Sequence, residues 1–160
     1  PFSVVSLAET VAHRGDGPAE RAAAYAEMLE RMRAAFAGFA ARLPAGSGSL
    51  RLLGTSGTVT TLASVHLGLA RYDRRAVDGL IVSAEAMRAI AQRLSTMSLA
   101  ERVALPCIGD ERADLVVAGC AILECILDIW PAERLGVADR GIREGILRSL
   151  LDSAVNRQLR

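Results

Sequence analysis

The sequence predicts an α/β layer fold in one domain, and three observations carry that prediction. Strand-like and helix-like patterns alternate along the chain in the order strand, helix, strand, helix, strand, helices, strand, helix. The length, 160 residues, suits a single domain around a single core. The composition is 51% hydrophobic but only 4% aromatic and is rich in alanine, which favours closely packed helices over an aromatic-rich β-sandwich.

Each element has its own signal. Residues 2–9, "FSVVSLAE", are β-rich and read as a strand, which Gly15-Asp16-Gly17-Pro18 then breaks. Between 19 and 43, Tyr25, Met28, Leu29, Met32, Phe36, Phe39 and Leu43 recur every three or four positions, which predicts a long amphipathic helix entered just after proline. A "PAGSGS" loop at 44–49 leads to a short strand at 50–53, a glycine and hydroxyl cluster at 54–58, and a helix over 59–69. Residues 76–83 read as strand or extended chain. Ser83 is an N-cap for a helix over 84–94, with Glu85 and Arg88 on its outer face, and Ser98 caps a shorter piece ending at Pro106. A long apolar helix is expected from 110 or 111 to Pro131, then a strand within 134–140. The last helix, 141–158, carries Ile142, Ile146, Leu150 and Ala154 on one side.

Several function classes are excluded early. With 19 basic and 18 acidic residues the chain has no global positive field for nucleic acid, though a local anion site is compatible with that balance. Cys107, Cys120 and Cys125 lack metal-type spacing, and His13 and His66 are isolated from them. The cysteines therefore read as reduced thiols of a cytoplasmic protein, with no metal among their roles. The most apolar segment, 115–130, is interrupted by Glu124 and Asp128, so no membrane span is expected. The opening residues lack the basic start and apolar core of a signal peptide.

Chemistry concentrates at Gly54-Thr55-Ser56-Gly57-Thr58, between a strand and a helix. Glycines let backbone approach a ligand, hydroxyls bond phosphate oxygens, and the first helical turn offers unpaired N–H groups at the positive end of its dipole. No lysine follows as in a Walker loop, and no GxGxxG is present, so composition leaves two readings open: a phosphate site, or a tight turn with an N-cap from Ser56 or Thr58. Arg112 stands at a helix start, where a cation is disfavoured unless an anion is near. It is a phosphate-contact candidate, with pairing to Asp110, Glu111 or Asp114 as the alternative. "RYDRR", 71–75, reads as a solvated loop with one local ion pair, Glu144 and Arg148 as an i,i+4 pair, and Ala118-Gly119-Ala121 as helix packing. No set of residues forms a catalytic constellation.

Four segments, "LLGTSGTVTTLA", "YDRRAVDGLIVS", "ERADLVVAGCAILECIL" and "GVADRGIREGIL", resemble in order and spacing the C-terminal half of the Ppx/GppA family of exopolyphosphatases and guanosine pentaphosphate phosphohydrolases. The resemblance covers residues 3–151. It implies a ribonuclease H-like domain II of the actin, sugar kinase and Hsp70 superfamily, a mixed sheet flanked by helices and lacking its first strands. It also implies that Gly54, Thr55, Ser56, Gly57 and Thr58 face the cleft and that Arg112 contacts substrate phosphate. The implied reaction is Mg²⁺-dependent hydrolysis of terminal phosphate from polyphosphate or guanosine pentaphosphate, in a homodimer. The family's "DxGSNS" and "DIGGGSTE" loops and its catalytic glutamate are not in these 160 residues, so the N-terminal domain is expected to be missing and the chain alone inactive. The exposed strand edge is expected to promote pairing with another chain. The alternative from another class is a non-catalytic phosphate-binding, nucleotide-binding or dimerisation domain of the same superfamily. An actin-like ATPase or kinase fits less well, because the "RAD" and "REGIL" segments resemble the phosphatases.

Overall fold

The computed structural model describes residues 3–11, 15–42, 51–55 and 57–158. The chain opens with a helix, α1 (Val4–Val11), where the β-rich composition of 2–9 had predicted a strand. Two serines decide the difference. Ser6 Oγ accepts from the Ser3 N–H at 2.8 Å and Ser3 Oγ accepts from the Ser6 N–H at 3.1 Å, a reciprocal cap that satisfies two otherwise unpaired donors. The cap starts a turn that buries Leu7 and Val11, one helical turn apart, and this burial overrides the β-propensity of the two valines.

Helix α2 (Pro18–Ala40) begins on proline, whose missing N–H has no partner in a first turn anyway, and buries Tyr25, Met28 and Met32. Phe36 and Phe39 lie edge-on to Trp130, with ring centroids 6.2 and 5.9 Å away. Strand β1 (Leu52–Gly54) and helix α3 (Gly57–His66) follow. The extended reading of 76–83 is split in two: a turn of helix, α4 (Arg74–Val77), capped by Asp73, and then β2 (Ile81–Ser83). Ser83 and Ser98 cap α5 (Ala84–Thr96) and α6 (Leu99–Val103) as expected, the second as a capping box with Glu101.

The single helix expected from 110 to 131 is broken into α7 (Asp110–Ala113) and α8 (Val116–Ile129). The buried Arg102 side chain donates from Nε to the Ala113 carbonyl at 2.8 Å, taking the acceptor that a continuous helix would use, and a second guanidinium nitrogen bonds the Met97 carbonyl. Helix α8 is the centre of the core. Consecutive residues 118–121 are all buried, and α1, α2, α3 and α5 pack against it. Its polar exceptions are paired: Tyr25 donates to Glu124 at 2.6 Å, and Asp128 meets Arg88 at 2.8 Å and Arg33 at 3.3 Å. Cys120 and Cys125 are buried in α8 and Cys107 is half-buried, all as free thiols; burial pushes the Cys120 thiol up to about 12. No helix among the described residues is long and apolar enough to cross a membrane.

The sheet is mixed, with strand order β1-β3-β2. β3 (Arg134–Val137) runs parallel to β1 and antiparallel to β2. Val82, Leu135 and Val137 face the core. Leu53 and Ile81, both in register with Gly136, face outward and are 67% and 62% exposed. Helix α9 (Ile142–Gln158) follows, and here the structure departs from the expected core face. Ile142, Ile146 and Leu150 are exposed, and no described element covers them.

Replacing Tyr25 with Phe keeps the ring but leaves the Glu124 carboxylate without its donor. Urea unfolding should show a loss of about 1–2 kcal/mol, and unchanged stability would mean that water already serves Glu124.

Candidate phosphate-binding site

Because β1 and β3 are parallel, their carboxyl ends lie at one edge of the sheet, with Gly54 in register with Val137. The Gly54 carbonyl accepts from the Ala138 N–H at 2.9 Å, which locks the two exits together. The crevice beyond the carboxyl ends of strands is where open α/β sheets bind ligands. The 54–58 turn and the 138–141 loop both leave from this edge.

The two glycines of the turn have different reasons. A Cβ on Gly54 would stand 2.6 and 2.7 Å from the two γ-methyls of Val59, so only glycine lets the strand end fold against the first turn of α3. A Cβ on Gly57 would meet no described atom within 4 Å, so packing does not demand a glycine there, and its backbone is exposed at the helix start. Thr55 is exposed as well; Ser56 lies outside the described residues.

Thr58 behaves differently from the reading that put its hydroxyl on phosphate. Its side chain is pressed against Gly119 of α8, where a Cβ would come within 2.2 Å of Oγ1 and 2.5 Å of Cγ2. What Thr58 offers the cleft edge is its backbone N–H. Further along α3 the hydroxyls are also turned inward: Thr60 donates to the Gly57 carbonyl at 3.1 Å, Ser64 donates to the Thr60 carbonyl at 2.9 Å, and Thr61 is 1% exposed. The hydroxyl-rich stretch thus divides into Thr55 and the backbone donors at the edge, and a packed series behind them.

Arg112 reaches this edge from α7. Its guanidinium donates to Thr61 Oγ1 at 3.2 Å, one turn into α3, and lies 6.0 Å from the ring centroid of Tyr72. The pairing with Asp110, Glu111 or Asp114 that the sequence left open does not form: among the described residues Arg112 has no ion pair. Arg102, through the Ala113 carbonyl, holds the helix that carries it. Nothing in the sequence pattern marked Arg102 for this task.

Around Arg112, two further rim arginines are engaged. Arg74 pairs with Asp139 at 3.1 Å, and Arg140 pairs with Asp78 at 3.0 Å. "RYDRR" therefore makes its ion pair across the rim to Asp139, while Asp73 accepts from the Arg75 N–H as a cap. Arg140, then the Asp139 N–H, holds the Asp78 carboxyl below its usual range, so this tie is complete above ordinary carboxylate values and released as pH falls through the depressed one. Glu144 accepts from the Gly141 N–H at 2.8 Å, capping α9, and Arg148 pairs with Asp152 at 3.7 Å, so the expected Glu144–Arg148 pair is replaced.

Among the described residues no three His, Cys, Asp or Glu side chains converge as a metal site. The Mg²⁺ that the resemblance implies has no ligand set among them.

Across its length this architecture has close counterparts. Residues 1–154 match the Ppx/GppA phosphatase family. The chain belongs to that family. The crystal structure of the Aquifex aeolicus Ppx/GppA family member superposes with a TM-score of 0.81 at 25% identity, over 96% of this chain and 48% of that one. A further structure of the Aquifex aeolicus enzyme gives 0.75 at 26% identity, over 93% and 47%. An exopolyphosphatase from Cytophaga hutchinsonii, at 20% identity and a TM-score of 0.69, shares the fold over 81% and 42%. No curated protein matches the chain. The chain thus spans about half the length of these Ppx/GppA structures.

In this Ppx/GppA chain the Thr58–Gly119 contact is open to direct test. Alanine at 119 gains up to about 1 kcal/mol of helix propensity, but it drives a methyl into a β-branched side chain that cannot swing away. A net loss of about 1–2 kcal/mol in urea unfolding is expected, partly recovered when Thr58→Ala is added; a Gly119→Ala variant as stable as the parent would show that α3 and α8 stand further apart.

Proposed function

We propose that the chain is the substrate-cleft half of a phosphoanhydride hydrolase that removes terminal phosphate from inorganic polyphosphate or guanosine pentaphosphate. The 54–58 turn supplies phosphate contacts through the backbone N–H groups at the start of α3, and Arg112 supplies a guanidinium. The observation that carries this reading is Arg112 itself: an exposed cation, flanked in sequence by three carboxylates, that is tied to α3 and pairs with none of them. Such an arrangement leaves its remaining donors for an external oxyanion. The open space over Gly57 supports the same reading. Family membership supports a hydrolase; the choice between the two substrates is part of the proposal.

On the rim, Asp139, Asp78 and Glu144 are each held by an arginine or a backbone N–H. The water-activating glutamate and the Mg²⁺ ligands, as the family resemblance implies, lie in residues outside this chain, and the setting proposed for the intact enzyme is cytoplasmic and homodimeric. The outward Leu53 and the apolar groove of about 420 Å³ beside the free edge of β1, lined by Val4, Leu52, Val59, Ile122 and Ile126, favour association of copies.

Titrating the 160-residue chain with inorganic tripolyphosphate at low salt should shift the amide signals of Gly57 and Thr58. Arg112→Ala should weaken that binding about tenfold. Unchanged affinity in Arg112→Ala would sink the site. In the presence of Mg²⁺ the same chain should release no phosphate from polyphosphate, and turnover would overturn the assignment of catalysis to residues elsewhere. Light scattering should show association that rises with concentration; a monomer throughout would count against the dimer.

A further inference from the structure

The ring beneath Arg112 belongs to Tyr72, in a segment anchored at both ends. Helix α3 closes at Gly68, which adopts φ +63°, a left-handed conformation open to glycine, and the Leu69 N–H reaches back to the Ser64 carbonyl at 3.1 Å. Immediately after Tyr72, Asp73 caps α4, and Arg74 ties the segment to Asp139 on the opposite loop. Tyr72 is therefore held in place although it is 41% exposed. Its hydroxyl lies by Asp139: burial, then hydrogen bonding to and the charge of that carboxylate, push it up to about 12, so the ring stays a neutral phenol.

Arg112 needs such a support. Its long side chain is exposed, ordering it costs rotamer entropy, and its hydrogen bond among the described residues, to a neutral hydroxyl, is 3.2 Å long. Asp110, Glu111 and Asp114 are all within its reach along the chain. We propose that Tyr72 is the positioning residue for the phosphate contact: its ring face, with Thr61 Oγ1, holds the Arg112 guanidinium at the cleft edge and away from the three flanking carboxylates. This rests on the reading that Arg112 contacts phosphate. The ring acts as a platform by cation–π attraction, and the hydroxyl is not required for that.

Two measurements on the chain test the proposal. In the free protein, NMR should show the Arg112 δ-protons displaced by the Tyr72 ring current, retained in Tyr72→Phe and lost in Tyr72→Leu. In titrations with inorganic tripolyphosphate, Tyr72→Leu should bind about fourfold more weakly, Tyr72→Phe within about twofold of the parent, and Tyr72→Leu should cost nothing further when Arg112 is already Ala. A merely structural role would weaken binding equally in both backgrounds, and that result would overturn the proposal. So would a missing ring-current shift, or a Phe variant as impaired as Leu. Unchanged binding in Arg112→Ala, with the ring-current shift present in the parent chain, would instead strike the phosphate reading and leave the Tyr72–Arg112 placement standing.

Discussion

The contact between Thr58 and Gly119 is the constraint on which the cleft edge depends. Helix α8 is packed against α1, α2, α3 and α5, so its position is set by the core, and α3 lies against it where α8 lacks a side chain. At the other end of the turn, Gly54 admits Val59. Two missing methyl groups, one on a strand and one on a buried helix, thus fix where the first N–H groups of α3 point. The precision of the turn comes from steric exclusion behind it.

Charge follows the same economy. The rim of the sheet carries several arginines and carboxylates, and most neutralise each other across loops: Arg74 with Asp139, Arg140 with Asp78. Exposed pairs of this kind contribute little stability individually. Their effect here is positional, because they tie the 138–141 segment to Arg74 and to Asp78. Buried Arg102 then sets α7 by taking the Ala113 carbonyl. One arginine is used as internal scaffolding so that another stays available at the surface.

Much of this was legible in the sequence where a local rule decides. The alternation of strand and helix, the caps at Ser83 and Ser98, and the placement of the glycine turn between β1 and α3 all follow from short-range chemistry. The failures occur where a distant partner decides. The VVS run of α1 is helical because Leu7 and Val11 are buried in the core, and the break at Asp114 exists because Arg102 intercepts a carbonyl. The hydroxyls of Thr58, Thr60 and Thr61 look equivalent to that of Thr55 in composition, yet only three-dimensional packing tells which are turned inward. Likewise Tyr72 reads as part of a solvated loop until α7 brings Arg112 over it.

The pairing that creates the cleft edge joins strands roughly eighty residues apart, since β1 meets β3 and only then acquires a neighbour. Helices α3 and α5 lie closer together in sequence, whereas the parallel β1–β3 ladder closes a loop of about half the chain. The turn at 54–58 is written early in the sequence but is a defined surface only once this ladder is closed. On the proposed reading, competence to hold an anion reports completed topology: a chain with its helices formed but this ladder open would contain every residue of the site and none of its geometry.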